Sequence, residues 1–242
     1  MMSPNGNINN LTSLWRTVGV AAGNYSEHEN FCCSRVPDAQ WPNRIWLKKV
    51  ANTDILSEIR QVTQQSEQPL TTSYWSDFDD DSLLLFEQNG FQTKSVQIGM
   101  SLDVNGKFDV QNRVQLKRIS TADEAHIWAV LYPQSFGYVI AAETVIKTKD
   151  QVHYELVYLG REAIGTAIAF ETGNTVGIHG MGIIPAYRKQ GFAEEVMLRL
   201  LNRAFDAGKI HVTLQASAMG KGVYQKIGFS EDFLMTNYTA VI

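Results

Sequence analysis

Two short stretches far apart in the chain share one arrangement. "FEQNGF" (Phe86 to Phe91) and "YQKIGF" (Tyr224 to Phe229) each place an aromatic residue, three intervening residues and then Gly-Phe. Runs with strand-like alternation follow in the same register, "QTKSVQIGMSLDV" after the first and "SEDFLMTNYTAVI" after the second. A helix ending at a glycine that can take the left-handed conformation, followed by a period-two strand, accounts for both. A chain that repeats this handover is constrained to two similar halves. Their join falls near "LDVNGKFDVQNR" (Leu102 to Arg113), where Asn105 and Gly106 mark a turn and apolar periodicity lapses.

The second half reads as mixed α/β. "VQLKRI" (Val114 to Ile119) is a short strand, and the "STAD" behind it offers Ser120 as a helix cap with Asp123 three residues on. That helix is expected to stop at Pro133, and a second helical segment covers about Tyr138 to Lys147. Strands are expected over Val152 to Leu159, Ala163 to Glu171 and Thr175 to Ile184, the last two forming a hairpin through Thr172 to Asn174. A helix from about Phe192 to Ala207 follows, then the strand "IHVTLQA", a helix ending in "VYQKIG", and closing strands.

Charge narrows the partners. With 21 basic and 25 acidic side chains the net charge is -4, which gives no support to a general nucleic-acid or anionic-membrane binder. Any phosphate recognition must be local. The polar start "MMSPNGNINN" lacks the basic and apolar regions of a leader, and no run approaches the roughly 18 apolar residues of a membrane helix, so a cytoplasmic protein is expected. Its only cysteines, Cys32 and Cys33, are adjacent, and no Cys or His cluster stands at metal-ligand spacing around them. Neither a disulfide framework nor a metal cofactor is expected.

The local anion site has one clear candidate. "RKQGFAEE" (Arg188 to Glu195) lies where a strand hands over to a helix. The first amides of a helix lack intrahelical partners, and the helix dipole makes that end positive. Gly191 lets a phosphate approach the backbone with no Cβ in the way, while Arg188 and Lys189 add charge. A solvated turn with a structural glycine is the plainer reading of the same eight residues. The glycines follow neither GxGxxG nor GxxxxGK[ST].

"IIPAYRKQGFAEEVMLRLL" resembles the acyl-CoA-binding motif of the GNAT superfamily of N-acetyltransferases, Arg or Gln, two residues, Gly, one residue, Gly or Ala. Arg188, Gly191 and Ala193 stand at its positions, with Pro185 and Tyr187 ahead of them. "LQASAMGKGVYQKIGF" resembles the family's second signature, a strand and then a helix carrying a tyrosine before "xxxGF". The resemblance covers about Val114 to Ile242. It implies the GNAT fold, a mixed and mostly antiparallel α/β (α+β) sheet flanked by helices, here in two similar halves.

It also implies acetyl-CoA as co-substrate, with no metal and a small-molecule amine as acceptor. The cofactor contacts implied are Ile183 and Ile184 at a strand end, Arg188, Lys189, Gln190, Gly191, Phe192 and Ala193 in the loop, and Ser217 after the next strand. A backbone N–H near Gly182 or Ile183 is the implied donor to the tetrahedral intermediate. Tyr224 matches the tyrosine that gives a hydrogen bond or proton to the departing sulfur; as a plain aromatic it would pack helix on sheet. For the proton of the attacking amine the candidates are His179, Glu171 or water. Strand alternation places His179 on the face of Met181 and Ile183.

The first half departs from the motif. "RIWLKKVANTDILSEIRQV" has the strand-to-helix handover but neither a glycine at the helix start nor the RxxGxA spacing. Thr53 and Asp54 read as N-cap chemistry, and Asp54 would repel a phosphate. Residues 10–104 are therefore expected to be a shortened GNAT-like domain without a cofactor loop, and residues 114–242 the catalytic domain. Together they would act as a pseudo-dimeric monomer, or pair further as a homodimer. Trp41, Trp46, Tyr74 and Trp75 either line the acceptor cleft or pack the core. The acceptor itself is expected to be set by "YPQSFGY" (Tyr132 to Tyr138) and the closing segment around Asn237 and Tyr238. Two other functions fit the same residues: a CoA-binding module without turnover, and a protein-interaction module that keeps only the shell of the fold.

Overall fold

The computed structural model describes residues 5–37, 39–78 and 82–241. The first half runs α1 (Asn5–Ala21), β1 (Tyr25–Glu27), β2 (Phe31–Ser34), β3 (Arg44–Leu47), α2 (Thr53–Gln64), β4 (Thr71–Ser76), α3 (Ser82–Gln88) and β5 (Phe91–Asp103). The second runs β6 (Val114–Arg118), α4 (Ala122–Phe136), α5 (Ala142–Thr148), β7 (His153–Leu159), β8 (Glu162–Thr172), β9 (Thr175–Ile183), α6 (Phe192–Asp206), β10 (His211–Ala216), α7 (Lys221–Ile227) and β11 (Ser230–Ala240). From β3 and β9 onward the two halves follow the same order, strand, helix, strand, short helix, long strand. Gly90 and Gly228 close the short helices at φ 78° and 113°, a conformation that side-chain-bearing residues rarely adopt.

Among the described residues eleven strands form one sheet in the order β1-β2-β3-β4-β11-β5-β10-β9-β8-β7-β6. Each half gives its last strand to the other. β11 lies between β4 and β5, and β5 lies between β11 and β10. β5 and β11 pair antiparallel from Ser101 opposite Ser230 to Phe91 opposite Ala240. Parallel pairing occurs on either side of this centre, β3 with β4 and β9 with β10, for three residue pairs each.

The cores follow the exchange. Met100 and Val104 of the first half pack under α6 with Val196, Met197, Leu200 and Leu201. Tyr238 of the second half packs under α2 and α3 with Ile55, Leu56 and Ile59, and stacks on Phe86 at 3.9 Å. The opposite face carries one cluster common to both halves, in which Trp15 and Trp46 join Trp128 and Tyr154. α1 spans this face, burying Leu11, Leu14, Trp15 and Val18 at helical spacing.

Three local expectations shift. Thr121, not Ser120, caps α4, because Glu124 rather than Asp123 reaches back to complete the capping box. Pro133 does not stop α4. Its missing N–H costs one hydrogen bond, but its carbonyl still accepts from Gly137, whose φ of 75° ends the helix a turn later; α5 then starts only at Ala142. Asn52, ahead of Thr53 and Asp54, caps α2 by accepting from the Ile55 N–H.

The exchange is expected to make the halves one cooperative unit, and Gly99 on β5 tests it. A Cβ there would overlap the ring of Phe233 on β11. Gly99→Val is expected to destabilise the whole chain by about 1–3 kcal/mol. Denaturant unfolding followed by tryptophan fluorescence and by far-UV circular dichroism should still give coincident single transitions. Two separated transitions would mean that the halves fold independently.

Candidate active site

β9 and β10 pair only from Thr175–His211 to Gly177–Thr213. β9 then continues to Ile183 and β10 to Ala216 without further pairing, so the two strands part and leave a gap in the sheet. β9 also carries an irregularity. Opposite Thr166 to Ile168 of β8 it spends the four residues Gly182 to His179, a β-bulge at Gly180, whose φ is 49°.

The loop after β9 leaves backbone N–H groups free at a helix start. Pro185–Tyr187 form one 3-10 turn, after which Lys189 and Gly191 both take positive φ, 61° and 81°. Gly191 caps α6, and its carbonyl accepts the first helical bond from Glu195. Among the described residues, the N–H groups of Lys189, Gln190, Gly191, Phe192 and Ala193 have no acceptor. A run of unpaired amides at a helix start is an anion-binding concavity. Arg188 braces the loop: its Nε donates to Ile183 O at 2.9 Å and its Nη2 to Ser135 O at 3.5 Å. Ile184 N–H is taken by Ile164 O, Phe192 is buried, and Ser217 turns β10 into α7 by accepting from Gly220.

The residues that fix α6 escaped the sequence. Glu195 is buried and accepts from Arg113 N (2.6 Å), Val114 N (3.0 Å) and Arg113 Nε (2.8 Å). Burial would raise its pKa, but these donors outweigh that and hold the carboxyl below its ordinary range. Arg113 also donates to Gln190 O at 3.0 Å, so the segment joining the halves anchors the loop. On α7, which follows β10, Tyr224 packs its ring against Phe229 at 5.9 Å. Burial pushes its phenol up to about 12, which keeps it a neutral donor. Its hydroxyl has no partner among the described residues.

The fold recurs in known structures. Residues 118–229 match the Acetyltransferase (GNAT) family. A GCN5-related N-acetyltransferase from Kribbella flavida superposes with a TM-score of 0.73 at 12% identity, covering 99% of this chain and 96% of that one. A GCN5-related N-acetyltransferase from Sphaerobacter thermophilus gives 0.60 at 13%, covering 98% and 93%. A tandem GNAT protein from the clavulanic acid biosynthesis pathway gives 0.57 at 12%, covering 87% and 78%. No curated protein matches the chain. The chain has the GNAT fold.

The GNAT fold sorts the remaining candidates by place. The bulge at Gly180 breaks the alternation of β9, so His179 does not share a face with Met181 and Ile183. Those two pack toward α6, whereas His179 turns toward α1. There its Nε2 meets Asn10 Oδ1 at 3.0 Å and its Nδ1 meets Gln215 Oε1 at 3.1 Å. Enclosure lowers its pKa to about 4, and a neutral ring donates to only one of these two oxygens. Glu171 is not brought to the site. It pairs with Val176 near the start of β9, and the seven steps from there to Ile183 span about 23 Å at roughly 3.3 Å each. Its nearest cation is Lys209, at 3.7 Å. Trp41 and Trp46 are core, Tyr74 packs with α3, and Trp75 is half-buried on the α1 face. Among the described residues no group of three or more His, Cys, Asp or Glu could hold a metal ion, and no helix is long and apolar enough to cross a membrane.

His179 has a consequence for stability. A histidine buried neutral binds its proton less readily folded than unfolded. Its contribution is therefore full above the unfolded pKa near 6.5 and lost as pH falls toward about 4. The loss should be on the order of 3 kcal/mol. Urea unfolding at pH 7 and pH 4.5 is expected to show a larger acid loss for the native chain than for His179→Gln. Equal losses would place the proton sensitivity elsewhere.

Proposed function

We propose that the protein transfers the acetyl group of acetyl-CoA to a primary amine of a small molecule. One observation carries the reading: five unpaired amides, Lys189 to Ala193, follow β9 where it has parted from β10, and the helix that follows β10 carries the neutral Tyr224 hydroxyl. The pyrophosphate would rest on the amides, with the charge of Lys189 nearby, and the pantetheine arm would enter the gap and pair with backbone the strands leave free. The amine nitrogen attacks the thioester carbon, a backbone N–H beside the bulge stabilises the oxyanion, the C–S bond breaks, and Tyr224 protonates the departing sulfur. With His179 enclosed and Glu171 at the far end of β9, water is the route the geometry favours for the proton of the amine. That same scarcity of a free base favours the second reading, a CoA-binding module without turnover. Release of free thiol from acetyl-CoA against a panel of primary amines separates the two.

Gly191→Trp is expected to abolish acetyl-CoA binding in calorimetry, because the side chain would stand where the phosphates must sit and the positive φ disfavours it. The native chain should bind one equivalent, since the first half offers Asn52 and Asp54 where the second offers Gly191. A ratio near two would mean a second cofactor site. Tyr224→Phe should lower kcat by about tenfold to a thousandfold with acetyl-CoA affinity little changed, because only the transition state uses the hydroxyl. An unaltered kcat would return Tyr224 to packing.

A further inference from the structure

Arg44 opens β3 on the α1 face, half-buried, and no carboxylate of the described residues lies within 4.0 Å of it. The buried carboxylates Glu155 and Glu195 are answered by Arg203 and Arg113. Arg44 instead uses a single nitrogen. Its Nη1 donates to Ser73 Oγ at 3.0 Å and to Asn237 Oδ1 at 2.5 Å, while the plane of the guanidinium lies 5.2 Å over the Trp15 ring. Nε and Nη2 have no acceptor among the described residues, yet neither is sealed from solvent. Those two nitrogens form one edge of the guanidinium, the edge whose parallel N–H bonds match the two oxygens of a carboxylate. Burial lowers the pKa of Arg44, the direction expected of a cation that lacks its counter-ion.

The surroundings hold that edge free. Asn237 is fixed as an acceptor toward Arg44, because its amide nitrogen donates to Ser95 Oγ at 3.1 Å and Gln97 Oε1 at 3.2 Å, and Ser73 Oγ donates to its oxygen at 2.7 Å. Gln97 then donates to Gln215 O on β10, and the Gln215 side chain meets His179 on β9. A polar row thus crosses the sheet from β3 to the strand of the bulge. It opens to solvent where Ser95 is exposed and Gln97, Trp75 and Tyr138 are half-buried. The hydroxyls of Tyr132 and Tyr138, 2.5 Å apart, stand between Arg44 and the bulge. They lie within electrostatic reach of the guanidinium, and a Cβ at Gly180 would lie 3.4 Å from Tyr132 Oη. Lys94, bonded to Thr71, adds a second positive charge on this side.

Resting on the acetyltransferase reading, we propose that the acceptor is an amine that also carries a carboxylate, and that the Nε and Nη2 edge of Arg44 binds this carboxylate while the amine faces the bulge at Gly180. A polycation would meet two like charges here. From Asn237 on β11 to β9 are three strand spacings, about 14 Å at roughly 4.8 Å each, which suits an acceptor whose amine and carboxylate are several bonds apart. The first half thereby supplies acceptor recognition to chemistry carried by the second.

The test uses the full chain with acetyl-CoA and amines in matched sets: 6-aminohexanoate, its amide and hexylamine, and lysine with lysinamide. Thiol release gives kcat/KM, and calorimetry with CoA present gives binding of each compound. The acids should exceed their amides by tenfold or more in kcat/KM, and Arg44→Gln should cut that ratio at least tenfold. Arg44→Lys, which keeps the charge but not the fork, should fall between. Ratios near one in the native chain, or an equal loss for acid and amide in both variants, overturn the proposal. If no amine releases thiol but the acids bind and Arg44→Gln abolishes that binding, the carboxylate site stands and the transfer reading falls. If thiol is released without preference for acids, the transfer reading stands and the Arg44 site falls. If neither turnover nor acid binding occurs, the carboxylate site is wrong.

Discussion

The antiparallel pairing of β5 with β11 sits at the middle of the sheet, and each partner is there because it has left its own half. Had β5 stayed on β4 and β11 on β10, each half would present a long exposed row of unpaired N–H and C=O groups, an edge open to association. Exchange satisfies both rows at once. The edges that remain are the short β1, three residues, and β6, five. Met100 then belongs to the core under α6 and Tyr238 to the core under α3, so neither half has a complete interior alone. α1 adds a polar stitch: Asn7 donates to carbonyls on β5 and β10, and Asn10 to one on β8.

The site is a defect placed within this framework. β9 and β10 could have remained paired to their ends, but the extra residue at Gly180 bends β9 away from β10 and reverses which side chains face α6. Two consequences follow from one bulge. The gap exposes backbone groups that a ligand can pair with, and His179 is carried under α1 instead of lining the gap. The enclosed imidazole then serves as a fixed polar post between Asn10 and Gln215, which is why its protonation is coupled to stability.

What the sequence disclosed was governed by local backbone. The repeated Gly-Phe handover is legible because Gly90 and Gly228 must be left-handed, and "RKQG" because Gly191 must be. What it concealed depends on residues distant in the chain. Nothing in the alternation of "QTKSVQIGMSLDV" says whether β5 pairs inside its half or outside it. The partner of His179 is Asn10, 169 residues away, and the bulge that turns the ring is signalled only by one glycine in a strand, Gly180. Arg44 reads as an ordinary strand-start cation until Ser73 and Asn237 are seen to use one of its nitrogens and leave the others. α1 was discoverable, since Leu11, Leu14, Trp15 and Val18 keep helical spacing behind a polar start.

The two halves share a parallel pair of equal length, although β9 runs six residues past it and β3 only one. β3 with β4 repeats β9 with β10 down to the three paired residues. A second difference lies where the strand meets the helix. In the second half a glycine at positive φ leaves five amides free at the helix start, while in the first the Asn52 side chain occupies the Ile55 N–H and Asp54 places a negative charge in the first turn. In the proposed reading an anion would be accommodated at the start of α6 and repelled at the start of α2. Arg44 stands at the opposite end of its strand and donates to Asn237 of β11, whereas Lys48 and Lys49, at the end of β3, are paired with Glu27 and Glu29. With those two lysines answered, Arg44 is the cation of β3 without a carboxylate among the described residues, and in the proposed reading the two halves serve one site from two sides.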